Sequence, residues 1–315
     1  METYSMENNQ DINIAKEILR IRFSQMIVNE KYGAGLFKIP IHLALGHEAI
    51  AVAVDSVMQE NDRLVLSHRN IHYNLARTKA LKPILDEYLL KKEGLAKAEL
   101  GSMNLANEAR NVAYTSSILG NNLPVATGLA LGQKVKGSNG LVIVVTGDGA
   151  MEEGSFYESL LFAKSNSLAA LVIIENNNWS MHTKIEARRS NIDLPKFAAS
   201  LGASYEKLNG NDVYEYIEHL KKIKEKSLTS KIPTVLEVDI TTLGGWYVEV
   251  DGNKEGRYIH LHAGPTSKIT LAEWPEIEQS ANDPIFVLQK YFAADILKTM
   301  SQEILKSIKE EISEA

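Results

Sequence analysis

Between Leu141 and Asn178 two short apolar runs, LVIVV and AALVII, flank a helix-spaced segment, and each is followed by a polar turn. Leu141 to Val145 is β-branched and unalternated, as a parallel strand buried on both faces is, and it delivers Gly147-Asp148-Gly149 at its carboxyl end. Phe156, Leu160, Leu161 and Ala163 then fall on a helical stripe. Ala169 to Ile174 returns to strand and ends in Glu175-Asn176-Asn177-Asn178. The alternation continues along the chain. Leu64 to Leu66 and Thr234 to Ile240 read as further strands, and Gly46 to Met58, Leu81 to Leu90, Leu194 to Leu201 and Asp212 to Ser227 as helices, with a small-residue helix over Pro124 to Val135. Strands and helices in turn predict an α/β fold, a doubly wound parallel sheet flanked by helices. Ligands of such sheets sit at the carboxyl ends of the strands, so Asp148 and an Asn of the second turn emerge on one edge.

One carboxylate, one amide oxygen and one backbone carbonyl suit Mg²⁺, which takes oxygen ligands in an octahedron and usually completes it with phosphates. Gly147 and Gly149 have no side chain to keep backbone amides from a diphosphate. Taken singly, GDG is an ordinary turn and ENNN an ordinary loop. Together, at this spacing, they resemble the binding motif of the thiamine diphosphate enzymes, which starts in GDG and closes in NN. The resemblance implies that Asp148 and Asn177 are side-chain ligands of Mg²⁺, that Trp179 offers its backbone carbonyl, and that Gly149 and Ala150 give amides to the diphosphate.

Four more segments follow in the order seen in one family: IHLALGHEA from Ile41, DRLVLSHRN from Asp62, Gly101-Ser102-Met103, and SILGNNLP from Ser117. With them the chain resembles the α subunit of the thiamine-dependent, decarboxylating component of 2-oxo acid dehydrogenase complexes. That family carries an aromatic-Arg pair where this chain has His68-Arg69, so the resemblance sets Arg69 against the diphosphate; the alternative is a surface ion pair. Ser117 and Leu119 match the segment that meets the aminopyrimidine ring. Leu119 would wedge the cofactor into its bent shape, although by itself it reads as core packing. His42 and His47 are candidates for the substrate pocket by family position.

One departure stands out. The family's His-Gly-His-Ser element after the last strand is absent, and the chain instead runs TTLGGWYVEVDGNKEGRYIHLHAGPTS. Its His-x-Gly-Pro element is similar to transketolases, and His260 and His262 are candidates to replace the missing histidine; the alternative for each is a solvated or packing imidazole.

In the family the glutamate that activates the aminopyrimidine comes from a separate β subunit. The resemblance therefore implies half a site, an α2β2 assembly with a β-like thiamine-enzyme subunit, a 2-oxo acid substrate and a lipoyl acyltransferase as acceptor. Two other readings stand beside it: the N-terminal subunit of a split transketolase-like enzyme acting on a ketose or ketone donor, and a non-catalytic cofactor-binding partner.

Composition narrows the field. At 315 residues and 44% hydrophobic the chain can bury one large core or at most two smaller ones. A formal net charge of -6 leaves no basic surplus for nucleic acid. The absence of cysteine removes disulfides, thiolate nucleophiles and Cys-type zinc sites. A polar, acidic start and the lack of any long apolar run point to a soluble, cytoplasmic protein without membrane contact. Ile12, Ala15, Leu19, Phe23, Met26 and Ile27 predict an opening amphipathic helix that stops near Gly33. Residues 1–282 read as one thiamine diphosphate/Mg-binding α/β domain and 283–315 as a helical tail. The tail's stripe of Ile285, Leu288, Phe292, Ile296, Leu297, Met300, Ile304, Ile308 and Ile312 packs either on the chain's own domain or on a partner.

Overall fold

The computed structural model describes residues 9–245, 262–266 and 268–313, and the backbone of 247–249 and 258–260. Six parallel strands form the central sheet: β1 (Arg63–Ser67), β2 (Val112–Ser116), β3 (Val142–Gly147), β4 (Ala170–Asn176), then, after the hairpin strands β5 (Trp179–Ser180) and β6 (Thr183–Lys184), β7 (Ser204–Leu208) and β8 (Thr234–Asp239). Their spatial order is β2-β1-β3-β4-β8-β7. A second antiparallel pair, β9 (Tyr247–Glu249) and β10 (Tyr258–His260), lies apart from the sheet.

The central strands are apolar on both faces because both are covered. Val142 and Val144 point into one core with Val172, Ile174 and Val235, while Ile143 and Val145 point into the other with Leu171, Ile173 and Leu236. Helices α1 (Asn9–Gly33), α2 (Glu48–Val57), α3 (Ile71–Thr78) and α4 (Lys82–Tyr88) belong to the larger core, whereas α5 (Asn122–Val135) and α6 (Gly154–Ser165) cover the opposite face. After the short α7 (Ile185–Arg188) come α8 (Leu194–Ser200) on the α5–α6 face and α9 (Val213–Ser230) on the α1–α2 face. The expected doubly wound sheet is present. Among the described residues no helix is long and apolar enough to cross a membrane.

The opening helix differs from its prediction. It is not a surface helix with one apolar stripe, since Arg20, Arg22, Ser24, Gln25 and Asn29 are buried along with Ile18, Leu19, Ile21 and Phe23. Its polar side is covered by several segments: Arg20 donates to the Leu75 carbonyl, Gln25 to the Ala44 carbonyl and Glu48, Asn29 to the Thr266 and Ile269 carbonyls, and Arg22 reaches the tail at Asp283. The tail is two helices, α10 (Pro284–Leu288) and α11 (Ala294–Ser313), with Ile285, Leu288, Phe292, Leu297, Met300, Leu305 and Ile308 in the same core as α1. The break between them resets the helical phase, so the single stripe fails in detail: Ile296 is 46% exposed and Leu305 is buried instead.

Arg22 ties these pieces together. Its guanidinium meets Glu48 at 2.7 Å and Asp283 at 2.9 Å, all three side chains being fully buried. Glu48 also accepts the Gly46 amide at 2.9 Å, and so anchors the turn that carries His47. Arg22→Ala strands two carboxylates in the core and is expected to cost about 3–5 kcal/mol in urea unfolding; a loss below about 1 kcal/mol would show that the network does not hold α1 to the tail.

Candidate functional site

The chain leaves β1 toward β2 on one side and returns to β3 on the other, which opens a crevice at the carboxyl ends of β1 and β3. Every sequence-predicted site residue but one lines the cleft found there. Ser67 ends β1 and His68 and Arg69 follow it, Ser117 and Leu119 follow β2, Gly147 ends β3 and Asp148 to Ala150 follow it, and Asn177 and Trp179 follow β4. His42 and His47 come from the loop before α2, and His262 from the chain after β10. The exception is His260. Its backbone pairs with Tyr247 and its side chain lies outside the described residues.

Two turns are built by close backbone approach. Gly46, at φ 93°, would place a Cβ 2.3 Å from the Thr241 carbonyl, so only glycine lets the His47 turn lie against the segment after β8. A Cβ on Gly149 would stand 2.3 Å from Ser180 Oγ, so the β5–β6 hairpin lies directly on the Gly147-Asp148-Gly149 turn.

Just past β3, Asp148 is buried and its Oδ2 takes Arg188 Nη2 at 2.5 Å. Burial pushes its carboxyl up to about 6, even with the Arg188 charge working against that rise. Asn177 turns its amide by two contacts: Nδ2 donates to Thr242 Oγ1 at 3.3 Å and Oδ1 accepts the Trp179 amide at 2.9 Å. A carboxylate, an amide oxygen and a backbone carbonyl are the kinds of oxygen donor that Mg²⁺ takes, and Asp148, Asn177 and Trp179 all line the cleft. The residues fit Mg²⁺. Gly147 has no atom nearer than 4.0 Å to where a Cβ would be, room that a diphosphate can use.

Behind the metal end lies a group of side chains that sequence reasoning did not assemble. Glu175 Oε1 accepts Tyr73 Oη at 2.9 Å and faces His72 Nε2 at 3.0 Å, while Oε2 faces His47 Nδ1 at 3.1 Å. Burial would raise the Glu175 carboxyl, but the imidazoles of His72 and His47 outweigh it and hold the group below the usual carboxylate range. With Glu175 ionised, His47 Nδ1 carries the proton and Nε2, 3.0 Å from Thr242 Oγ1, accepts from that hydroxyl. Burial holds the His47 pKa below its ordinary value, against the pull of Glu175. The signal missed was α3, a short helix whose polar His72 and Tyr73 are buried.

The other imidazoles gather near the cofactor's expected diphosphate cation. Ring centroids of His42 and His68 are 4.8 Å apart, those of His42 and His262 4.8 Å, and those of His68 and His262 5.1 Å. Arg69 is 9% exposed, which excludes the surface ion pair; it donates to the Leu43 carbonyl and, at 3.3 Å, to the His262 carbonyl. Burial, reinforced by Arg69, lowers His42 to about 2 and His68 to about 4. Both are therefore neutral in the folded chain at neutral pH.

A pH dependence follows. A histidine kept neutral by the fold stabilises it fully above the unfolded pKa of about 6.5; as pH falls below that, the unfolded chain takes up the proton and the stability is lost, until the folded pKa is reached. From pH 7 to pH 5 the loss is about 2 kcal/mol for each of His42 and His68. The double variant His42→Gln/His68→Gln is expected to lose correspondingly less stability over that range in urea unfolding of the ligand-free chain. Parallel pH profiles for the two proteins would contradict the burial argument.

Core packing is not the role of Leu119: it is 42% exposed and Ile118 68% exposed, both at the cleft. Gly120 beside them, at φ 72°, closes the turn into α5.

Comparison with known proteins agrees with this geometry. The family model for the dehydrogenase E1 component matches residues 22–252. The chain is 33% identical over 236 residues, 75% of its length and 72% of the relative's, to a pyruvate dehydrogenase E1 component subunit alpha of Rickettsia bellii. It is 30% identical to the protein of that name from Rickettsia felis, over 99% of this chain and 91% of the relative. Among solved structures, transketolase from Campylobacter jejuni superposes with a TM-score of 0.58 at 18% identity, over 98% of this chain and 48% of that one. The chain thus spans about half of that transketolase, with which it shares the fold.

Proposed function

Because the chain belongs to the dehydrogenase E1 component family, we propose that it is the α subunit of a thiamine diphosphate-dependent enzyme that decarboxylates a 2-oxo acid and passes the acyl group to a lipoyl carrier. Thiamine diphosphate, when bound, supplies the electron sink for breaking the bond to the departing carboxylate. This chain's residues do the rest of one wall. Asp148, Asn177 and the Trp179 carbonyl hold Mg²⁺ and with it the diphosphate; Gly149 and Ala150 present amides, and Arg69 a fixed cation. Ser117 and Leu119 meet the aminopyrimidine side, and His42, His47, His68 and His262 line the floor of the cleft.

The observation that carries the reading is the placement of carboxylates. Among the described residues, the acids lining the cleft are Asp148 and Glu175. The first sits at the metal end, and the second is saturated by His47, His72 and Tyr73. Neither is left to activate an aminopyrimidine, which supports a β-like subunit closing the cleft. A split transketolase-like activity is the second reading, favoured by His262 of the His-x-Gly-Pro element reaching the cleft. The test is co-expression with a β-like chain and a screen of 2-oxo acids, with a lipoyl domain as acceptor, against ketose phosphates with aldehyde acceptors. Turnover of 2-oxo acids with lipoyl acylation supports the first reading, and turnover of ketose phosphates alone replaces it with the second.

A further inference from the structure

Arg188 ends α7, the short helix that follows directly on the β5–β6 hairpin carrying Trp179. All three of its guanidinium nitrogens are engaged: Nη2 on Asp148 Oδ2 at 2.5 Å, Nη1 on Glu152, and Nε on the Thr183 carbonyl at 3.1 Å. Its side chain is only 11% exposed. Arg189 adds a second donor to Glu152 at 3.0 Å. The Asp148 carboxylate also takes hydrogen bonds from its own and the Asn177 backbone amides, so Arg188 sets its orientation together with the turn. Asn177 is oriented in the same manner by Thr242. The hairpin is also pressed against the turn, since a Cβ on Gly149 would meet Ser180 Oγ and stand 3.4 Å from Arg188 Nη1.

We propose that Arg188 is the positioning residue that presents Asp148 to Mg²⁺, and that it couples metal binding to docking of the 179–189 hairpin on the Gly147–Gly149 turn. The proposal rests on the reading of Asp148 as a metal ligand. The hairpin is then clamped around the ion at both ends, by the Trp179 carbonyl on the ion and by Arg188 behind its carboxylate. Two guanidinium groups face two carboxylates here, so the cluster is balanced before any ligand arrives. A Mg²⁺–diphosphate pair enters without stranding a buried charge, whereas loss of Arg188 would leave Asp148 held by backbone amides alone, without its countercharge.

The test uses the enzyme assembled with its β-like partner, with Mg²⁺ titrated at fixed thiamine diphosphate and binding followed by tryptophan fluorescence. Loss of an outer partner to a ligating carboxylate costs about 10–100-fold in metal affinity. Arg188→Gln is expected to raise the half-saturating Mg²⁺ by that factor, with most of the cofactor affinity restored at saturating Mg²⁺. Arg188→Lys keeps the charge but loses the planar fork, and falls between. Chymotrypsin cleavage at Trp179 is expected to be slowed by Mg²⁺ and cofactor in the wild type and far less in Arg188→Gln. An unchanged Mg²⁺ midpoint with unchanged protection overturns the proposal, and so does a lower midpoint, which would make Arg188 a competing cation. Asp148→Ala separates the two levels: if it abolishes Mg²⁺ dependence while Arg188→Gln is silent, the metal reading stands and the clamp falls.

Discussion

Asp148→Ala and Asn177→Ala are each expected to abolish Mg²⁺-dependent binding of thiamine diphosphate in the assembled enzyme while the chain stays folded. Mg²⁺ demands a near-ideal octahedron and draws few ligands from protein, so each variant removes an oxygen that nothing nearby replaces. The effect exceeds the roughly 10–100-fold loss that follows removal of an outer partner. Folding survives because both residues sit past the ends of β3 and β4, outside the two apolar cores. In Asp148→Ala the Arg188 guanidinium still has Glu152 and the Thr183 carbonyl. Asn177→Ala frees the Thr242 hydroxyl, which retains His47. Calorimetry at fixed Mg²⁺ reads the result; wild-type affinity in both variants would remove the ion from this site.

The legible parts of the chain were those whose neighbours are close in sequence or whose burial is complete. Strands β1, β3, β4 and β8 are sheathed on both faces, so their apolar runs stand out. Strands β2 (VAYTS) and β7 (SYEKL) lie at the two edges of the sheet, are partly exposed, and carry no such run. That Asp148 and Asn177 come together was readable because they follow adjacent strands, Gly147 pairing in register with Glu175. The clasp around Glu175 was not, because His47, His72 and Tyr73 reach it from positions about a hundred or more residues earlier, through α3 and the loop before α2. Arg188 was missed for a different reason. It follows a hairpin of two-residue strands, too short for any periodicity to register.

The isolated chain is expected to show essentially no decarboxylation of any 2-oxo acid with an artificial electron acceptor, and to gain activity when a β-like chain is added. Among the described residues its cleft acids are already committed, Asp148 to Arg188 and Glu175 to His47, His72 and Tyr73. The acid-base help that is missing is typically worth about two to four powers of ten in rate, and closure of the open side against water adds to it. Exposed Ile118 and Leu119 mark the side left uncovered. The decisive measurement is therefore turnover of a 2-oxo acid panel by the purified chain with thiamine diphosphate and Mg²⁺, before and after addition of the β-like chain, with purity verified by mass spectrometry. Activity confined to the mixture is the predicted result; robust turnover by the chain free of any partner would contradict the half-site account.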